Sequence, residues 1–126
     1  MLKTCNMEIA IIAHDGKKAE MVQFLNEHRE ILRQKNINLI STGTTGEKVS
    51  KAGFDVNALL SGPLGGDAQI AARVAEGKCG MVLFFRDPLD RHPHEPDILM
   101  LMRLCDVHNV PLATNPATAD LLMKAI

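Results

Sequence analysis

The run Met81-Val82-Leu83-Phe84-Phe85 constrains the fold more than any other stretch of the chain. Consecutive residues of a strand point to opposite faces, so an unbroken apolar run must be buried on both. It is also too short for a helix of ordinary length. A second run, residues 9–13 within MEIAIIAHD, stops abruptly at His14 and Asp15. Between the two lies a different period. In the segment 17–35, Met21, Leu25, His28 and Leu32 are spaced 4, 3 and 4 apart, which is one face of a helix.

The rest of the chain continues the alternation. NLIST (38–42) reads as a strand running into GTTG, with a short helix over about 45–51. Phe54, Val56, Leu59 and Leu60 leave 54–60 ambiguous, with a short edge strand as one solution. An Ala-rich helix is predicted over 67–76, stopped near Gly77. RDPLDRHPHEP (86–96) is a loop with three prolines, and Asp97 opens a helix to about His108. VPLAT (110–114) is a further short strand, and 117–126 a closing helix. Strands alternating with helices predict an α/β fold, with a mainly parallel sheet covered on both faces. At 126 residues the chain is expected to be a single domain, 1–126. Right-handed crossovers would line up AHD, STGTTG, SGPLGGD, FFRDP and ATN along one sheet edge, where α/β proteins bind ligands.

Composition removes several function classes. The net charge is −1 with both signs interspersed, so there is no electrostatic footprint for nucleic acid or for an acidic membrane. Four Phe and no Trp or Tyr leave few platforms for stacking bases. No apolar run approaches the roughly 20 residues that span a bilayer, and no secretory leader pattern is evident. Cys5, Cys79 and Cys105 are scattered, without a CxxC. That pattern suits free thiols in a reducing cytoplasm.

The polar strand ends carry the chemistry. In TGTTG (42–46), glycines permit tight turning, threonines supply hydroxyls, and amides at a helix start favour anions. Ser41 occupies the place of the first glycine in a dinucleotide fingerprint, and GEKVS lacks the Walker order GK[ST]. A plain strand-to-helix turn with a threonine cap explains the same residues. Lys18 could meet a phosphate as a point charge or be a solvated helix lysine. Asp15, Asp67 and Asp97 each have a helix cap as the competing role, and Asp87 fits a turn. His92 and His94 are two apart, not the helical zinc spacing, and no metal site is expected. His94 and Asp97 could instead form a histidine–carboxylate pair. SGPLGGD (61–67) poses the sharpest question, because a glycine-rich loop suited to an anion ends in a carboxylate.

In order and spacing, AHDGKK, STGTTG, LSGPLGGD, FFRDPL, HPHEPD and VPLATN resemble the methylglyoxal synthase family, from about residue 10 to 120. The pairing of SGPLGGD with HEPD is the specific part. The resemblance implies a Rossmann-like three-layer α/β/α domain assembled as a homohexamer. It implies conversion of dihydroxyacetone phosphate into methylglyoxal and inorganic phosphate, with neither metal nor organic cofactor. It implies that Asp67 is the catalytic base, with His94, Asp97 and Asp15 as further catalytic groups. His14, Lys18, Thr42, Gly43, Thr44, Thr45, Ser61, Gly62 and His94 match substrate-contacting positions. The chain stops at Ile126, where longer family members carry a tail with a basic residue implicated in their response to phosphate. Allosteric regulation by phosphate is therefore not carried over, whereas the core chemistry is, with inorganic phosphate as product and inhibitor.

On that resemblance the question about SGPLGGD has an answer. The threonine loop, Lys18 and the backbone of Ser61 and Gly62 would hold the phosphate. Asp67 would face the carbon beside the carbonyl, where confinement next to a dianion disfavours its charged form and makes it a stronger base. A non-catalytic anion-binding module, an isomerase or dehydratase of a related sugar phosphate, and a dinucleotide-binding protein are the competing readings.

Overall fold

Strand β1 (Glu8–Ala13) lies at the centre of a five-stranded, all-parallel sheet ordered β3-β2-β1-β4-β5. The others are β2 (Asn38–Ser41), β3 (Val56–Ala58), β4 (Met81–Phe85) and β5 (Leu112–Ala113). The computed structural model describes residues 7–90 and 95–126. The readings that involve Cys5, His92 and His94 fall outside these residues. Strands β1 and β4 run side by side from Ile9↔Met81 to Ala13↔Phe85, which joins the two apolar runs.

Helices cover both faces, and the strand alternation decides which residues meet them. Ile9, Ile11, Met81, Leu83 and Phe85 point to one side. There they pack with Met21, Phe24 and Leu25 of α1 (Lys18–Glu27), Leu32 of α2 (Arg29–Gln34), Val49 of α3 (Gly43–Lys51), and Ala119 and Met123 of α6 (Pro116–Lys124). Ala10, Ile12, Val82 and Phe84 point to the other side. They meet Ile70, Ala71 and Val74 of α4 (Gly66–Ala75), and Ile98, Leu101 and Cys105 of α5 (Glu95–Val107). The three-layer arrangement is the one expected.

Several boundaries differ from expectation. The segment 17–35 is not one helix. A 3-10 turn (Asp15–Lys17) precedes α1, and the helix breaks at His28, whose φ of −113° and ψ of 17° interrupt it before α2. Helix α3 begins at Gly43, two residues before the expected start, so most of TGTTG is helix. Helix α5 begins at Glu95, because a proline in a first helical turn has no intrahelical partner to lose. The closing helix starts at Pro116, where Asn115 Oδ1 accepts from the Thr118 amide at 3.0 Å as an N-cap. The edge strand within 54–60 forms over three residues, and β5 is shorter than VPLAT.

Strand order reverses at β1, so the crevice outside the carboxyl ends of β1 and β4 is the switch point of the sheet. Every parallel strand delivers the chain to that edge. Helices α3, α4 and α5 start there, and the amides of Gly43 in α3 and Gly66 in α4 are taken by the Leu60 and Ser61 carbonyls.

Candidate functional site

His14 follows β1 directly and is buried. Its amide donates to the Phe85 carbonyl at 3.1 Å, which carries the β1–β4 pairing one residue beyond the strand. Its ring meets the edge of Phe84 at 5.2 Å. The Asp87 amide donates to His14 Nδ1 at 2.9 Å. An amide can only donate, so Nδ1 must be the bare nitrogen. The imidazole is then neutral with its proton on Nε2. The same loop turns tightly, because Asp87 Oδ1 accepts from the Leu89 amide at 3.1 Å.

Lys18 is buried in the first turn of α1. Its Nζ donates to the Ala13 carbonyl at 3.0 Å and to Asp15 Oδ1 at 2.7 Å. These two contacts hold the ammonium over the end of β1. An ammonium has three donors, and these contacts use two of them. Asp15 does not cap a helix; its exposed carboxylate pairs with Lys18.

The threonine segment packs against the same strand end. The buried Thr45 hydroxyl accepts from the Ala13 amide at 3.2 Å and donates to the Ala13 carbonyl at 3.3 Å. Thr42, buried at the N-cap of α3, reaches Thr45 Oγ1 at 3.4 Å and makes no side-chain cap. Thr44 is exposed in the first turn. The Gly43 amide donates to the Leu60 carbonyl at 3.0 Å, which joins the threonine segment to the SGPLGGD loop.

That loop is folded tightly on the start of α4. Ser61 precedes a 3-10 turn (Gly62–Leu64), and its carbonyl accepts from Leu64 at 3.1 Å and Gly66 at 2.9 Å. Gln69 Oε1 accepts from the Leu60 amide at 2.8 Å. Gly65 has φ +110°, a conformation that side chains disfavour. At Gly66 an added β-carbon would collide with the Leu60 carbonyl oxygen. The helix N-cap is Gly65, not Asp67. Asp67 is instead the second residue of α4 and has no solvent exposure (0 %). A carboxylate there gains from the positive end of the helix and loses its water.

The structure therefore brings His14, Lys18, Thr42, Thr45, Gly43, Ser61 and Gly62 into one hydrogen-bonded set of turns, with Asp67 buried at the adjoining helix start. Asp97 lies in the first turn of α5, two residues inside its start, and so is not the helix cap. His94 precedes it outside the described residues. A cleft of about 520 Å³ opens nearby among Lys17, Glu20, Arg86, Pro88 and Thr114, but no expected site residue lines it. Cys79 and Cys105 lie in the core facing α4 and α5. Burial pushes the Cys79 thiol up and the Cys105 thiol to about 11, so both are inert at neutral pH.

Two contributions escaped the sequence. The Asp87 amide sets the tautomer of His14, and no sequence pattern encodes a backbone donor. Gln69 fastens the Leu60 turn; its place two residues after the buried aspartate was the only available signal.

Known proteins resemble the chain in sequence and in fold. The model of the MGS-like domain matches residues 20–114. The chain is 52% identical over 119 residues to a methylglyoxal synthase of Clostridium botulinum (strain Eklund 17B / Type B), covering 94% of this chain and 98% of that one. It is 55% identical over 121 residues to a methylglyoxal synthase of Thermoanaerobacter sp. (strain X514), covering 95% and 90%. The crystal structure of methylglyoxal synthase from Elizabethkingia anophelis NUHP1 superposes with a TM-score of 0.87 at 40% identity, covering 94% of this chain and 77% of that one.

Proposed function

Since the chain belongs to the methylglyoxal synthase family, we propose that it converts dihydroxyacetone phosphate into methylglyoxal and inorganic phosphate, with Asp67 as the base. The observation that carries the role of Asp67 is its complete burial at the start of α4, one tight turn from Ser61 and Gly62. A carboxylate shut off from water at the end of a turn suited to an anion is the kind of group that functional sites collect.

The reaction divides among the residues as follows. The phosphate sits at the helix starts, with Lys18, Thr44 and the backbone around Ser61 and Gly62 as donors. Asp67 removes a proton from the hydroxymethyl carbon, and the electron pair passes to the carbonyl oxygen, giving an enediolate. Neutral His14 presents Nε2–H to that oxygen. A donor fixed in advance at developing charge is commonly the largest catalytic contribution, and His94 is a second donor of the same kind. Asp97 and Asp15 are the acidic members of the site. The hydroxyl proton of the enediolate then passes to the departing phosphate, the double bond shifts toward the phosphate-bearing carbon, and the C–O bond to phosphate breaks. The remaining enolate takes back one proton, at the carbon that becomes the methyl group, and ends as methylglyoxal. Expulsion requires the breaking bond to stand out of the enediolate plane, so the grip on the phosphate selects elimination over isomerisation.

The same reading takes 1–126 as one catalytic domain that acts in the cytoplasm as a homohexamer and is inhibited by its phosphate product. Among the described residues, no helix is long and apolar enough to cross a membrane. The test supplies dihydroxyacetone phosphate to purified protein and follows both products. Equimolar methylglyoxal and phosphate are expected. Glyceraldehyde 3-phosphate without phosphate release would mean an isomerase, and an unchanged substrate would mean a binding module.

A further inference from the structure

We propose that Gln69 is a positioning residue that holds the phosphate-binding loop in register with the base, an inference that rests on the functional reading above. Gln69 is the fourth residue of α4, two after Asp67. Long side chains of a helix lean toward its N-terminus. Gln69 reaches back in this way to the chain that enters the SGPLGGD loop, and its Oε1 accepts from the Leu60 amide at 2.8 Å. An amide can only donate, so the side-chain oxygen and not the nitrogen faces it. The Leu60 carbonyl in turn accepts from the Gly43 amide at 3.0 Å. Leu60 therefore ties two helix starts together, α3 through its carbonyl and α4 through its amide. Ser61 and Gly62, whose backbone is assigned to the phosphate, follow it directly.

The neighbouring links are main chain to main chain. The Leu59 amide donates to the Ser41 carbonyl at 2.7 Å, and the Gly66 amide to the Ser61 carbonyl at 2.9 Å. The link from Leu60 to α4 is made by a side chain, so it can be removed without altering the backbone. Leu60 and Gln69 are both exposed. Water can take the place of the lost partner at little cost in stability. Water does not fix a distance, however, and the base and the loop must meet two ends of one substrate at once. A displacement of about 1 Å at a catalytic group costs about 100-fold in rate. Inorganic phosphate engages the loop without needing the base. Its affinity is therefore expected to be insensitive to the register that Gln69 sets.

The test compares the full-length protein with Gln69→Met, which keeps the length of the side chain and loses the acceptor, and Gln69→Glu, which keeps an oxygen at the same reach. Four quantities are measured: hydrogen exchange at the Leu60 amide, phosphate release from dihydroxyacetone phosphate, affinity for inorganic phosphate, and the thermal midpoint. In Gln69→Met the Leu60 amide should exchange faster, and kcat should fall about 5- to 20-fold. Phosphate affinity should change less than about threefold and the midpoint less than about 2 °C. Gln69→Glu should restore kcat to within about threefold of wild type; its added charge acts on KM for an anionic substrate, so kcat is the comparison. An unchanged kcat in Gln69→Met overturns the inference and leaves the function intact, and so does unchanged exchange at Leu60. A kcat loss matched by weaker phosphate binding overturns it by making Gln69 a support for binding alone. A loss that tracks the midpoint overturns it by making the bond merely structural, and a Gln69→Glu as slow as Gln69→Met shows that the acceptor is not what matters. A wild-type protein that releases no phosphate overturns the functional reading, and this inference with it.

Discussion

At residue 66 the backbone runs so close to the Leu60 carbonyl that no β-carbon fits. The obstacle is main chain, which cannot swing aside as a flexible side chain would. Gly66→Ala is therefore expected to push residues 59–62 away from α4, at a cost of about 1–3 kcal/mol in stability. Because Ser61 and Gly62 move with it, kcat/KM for dihydroxyacetone phosphate should fall as well. Urea unfolding and steady-state assays on one preparation check both, and an active variant of native stability would contradict the account. The glycines were visible in the sequence as a place where backbone approaches something closely. What they approach was not, because a ligand and a neighbouring carbonyl make the same demand on a residue. At Gly66 the neighbour is the Leu60 carbonyl. The threonines teach the same point. TGTTG reads as an anion loop, yet the Thr45 hydroxyl is engaged with both polar groups of Ala13.

Between elements, the break at His28 shows how tertiary contact overrides a helical period. The spacing of Met21, Leu25, His28 and Leu32 is continuous, and three of the four are buried as expected. His28 instead turns its ring to two acceptors. Nδ1 lies 2.9 Å from the Phe24 carbonyl and Nε2 lies 2.9 Å from Asp120 Oδ1 on α6. The latter partner is 92 residues away, beyond any local pattern. The hydrogen bond from Lys124, and then that from His28, hold the Asp120 carboxyl below its ordinary value of 3.8. A depressed carboxyl stabilises the fold above its unfolded pKa and loses that contribution as pH falls through its folded pKa. Asp120→Asn should therefore lower the thermal midpoint at pH 7, and the difference from wild type should shrink as the pH drops below 3.8. A gap that is independent of pH would show that the charge plays no part. Strand positions were the most legible elements, since both long apolar runs pair at the centre of the sheet. Helix starts were least so. Proline at α5 and glycine at α3 look like loop residues, although a first turn tolerates both.

For the whole molecule, one topological fact assembles the site. All five strands are parallel, so each delivers its polar end to the same edge, and the order reverses at β1 between the turns that carry His14 and Asp87. Sequence periodicity supplied the alternation of strands and helices from which that edge could be inferred. It could not supply the pairing order, which rests on contacts between distant segments such as β1 and β4. The central claim is that this edge presents a buried carboxylate to carbon and a set of donors to phosphate. Asp67→Asn tests it most directly, because the amide keeps the shape and removes the base. The account predicts native circular dichroism, retained affinity for inorganic phosphate, and loss of methylglyoxal formation by at least about 100-fold. Turnover within a few-fold of wild type in a correctly folded variant would contradict it.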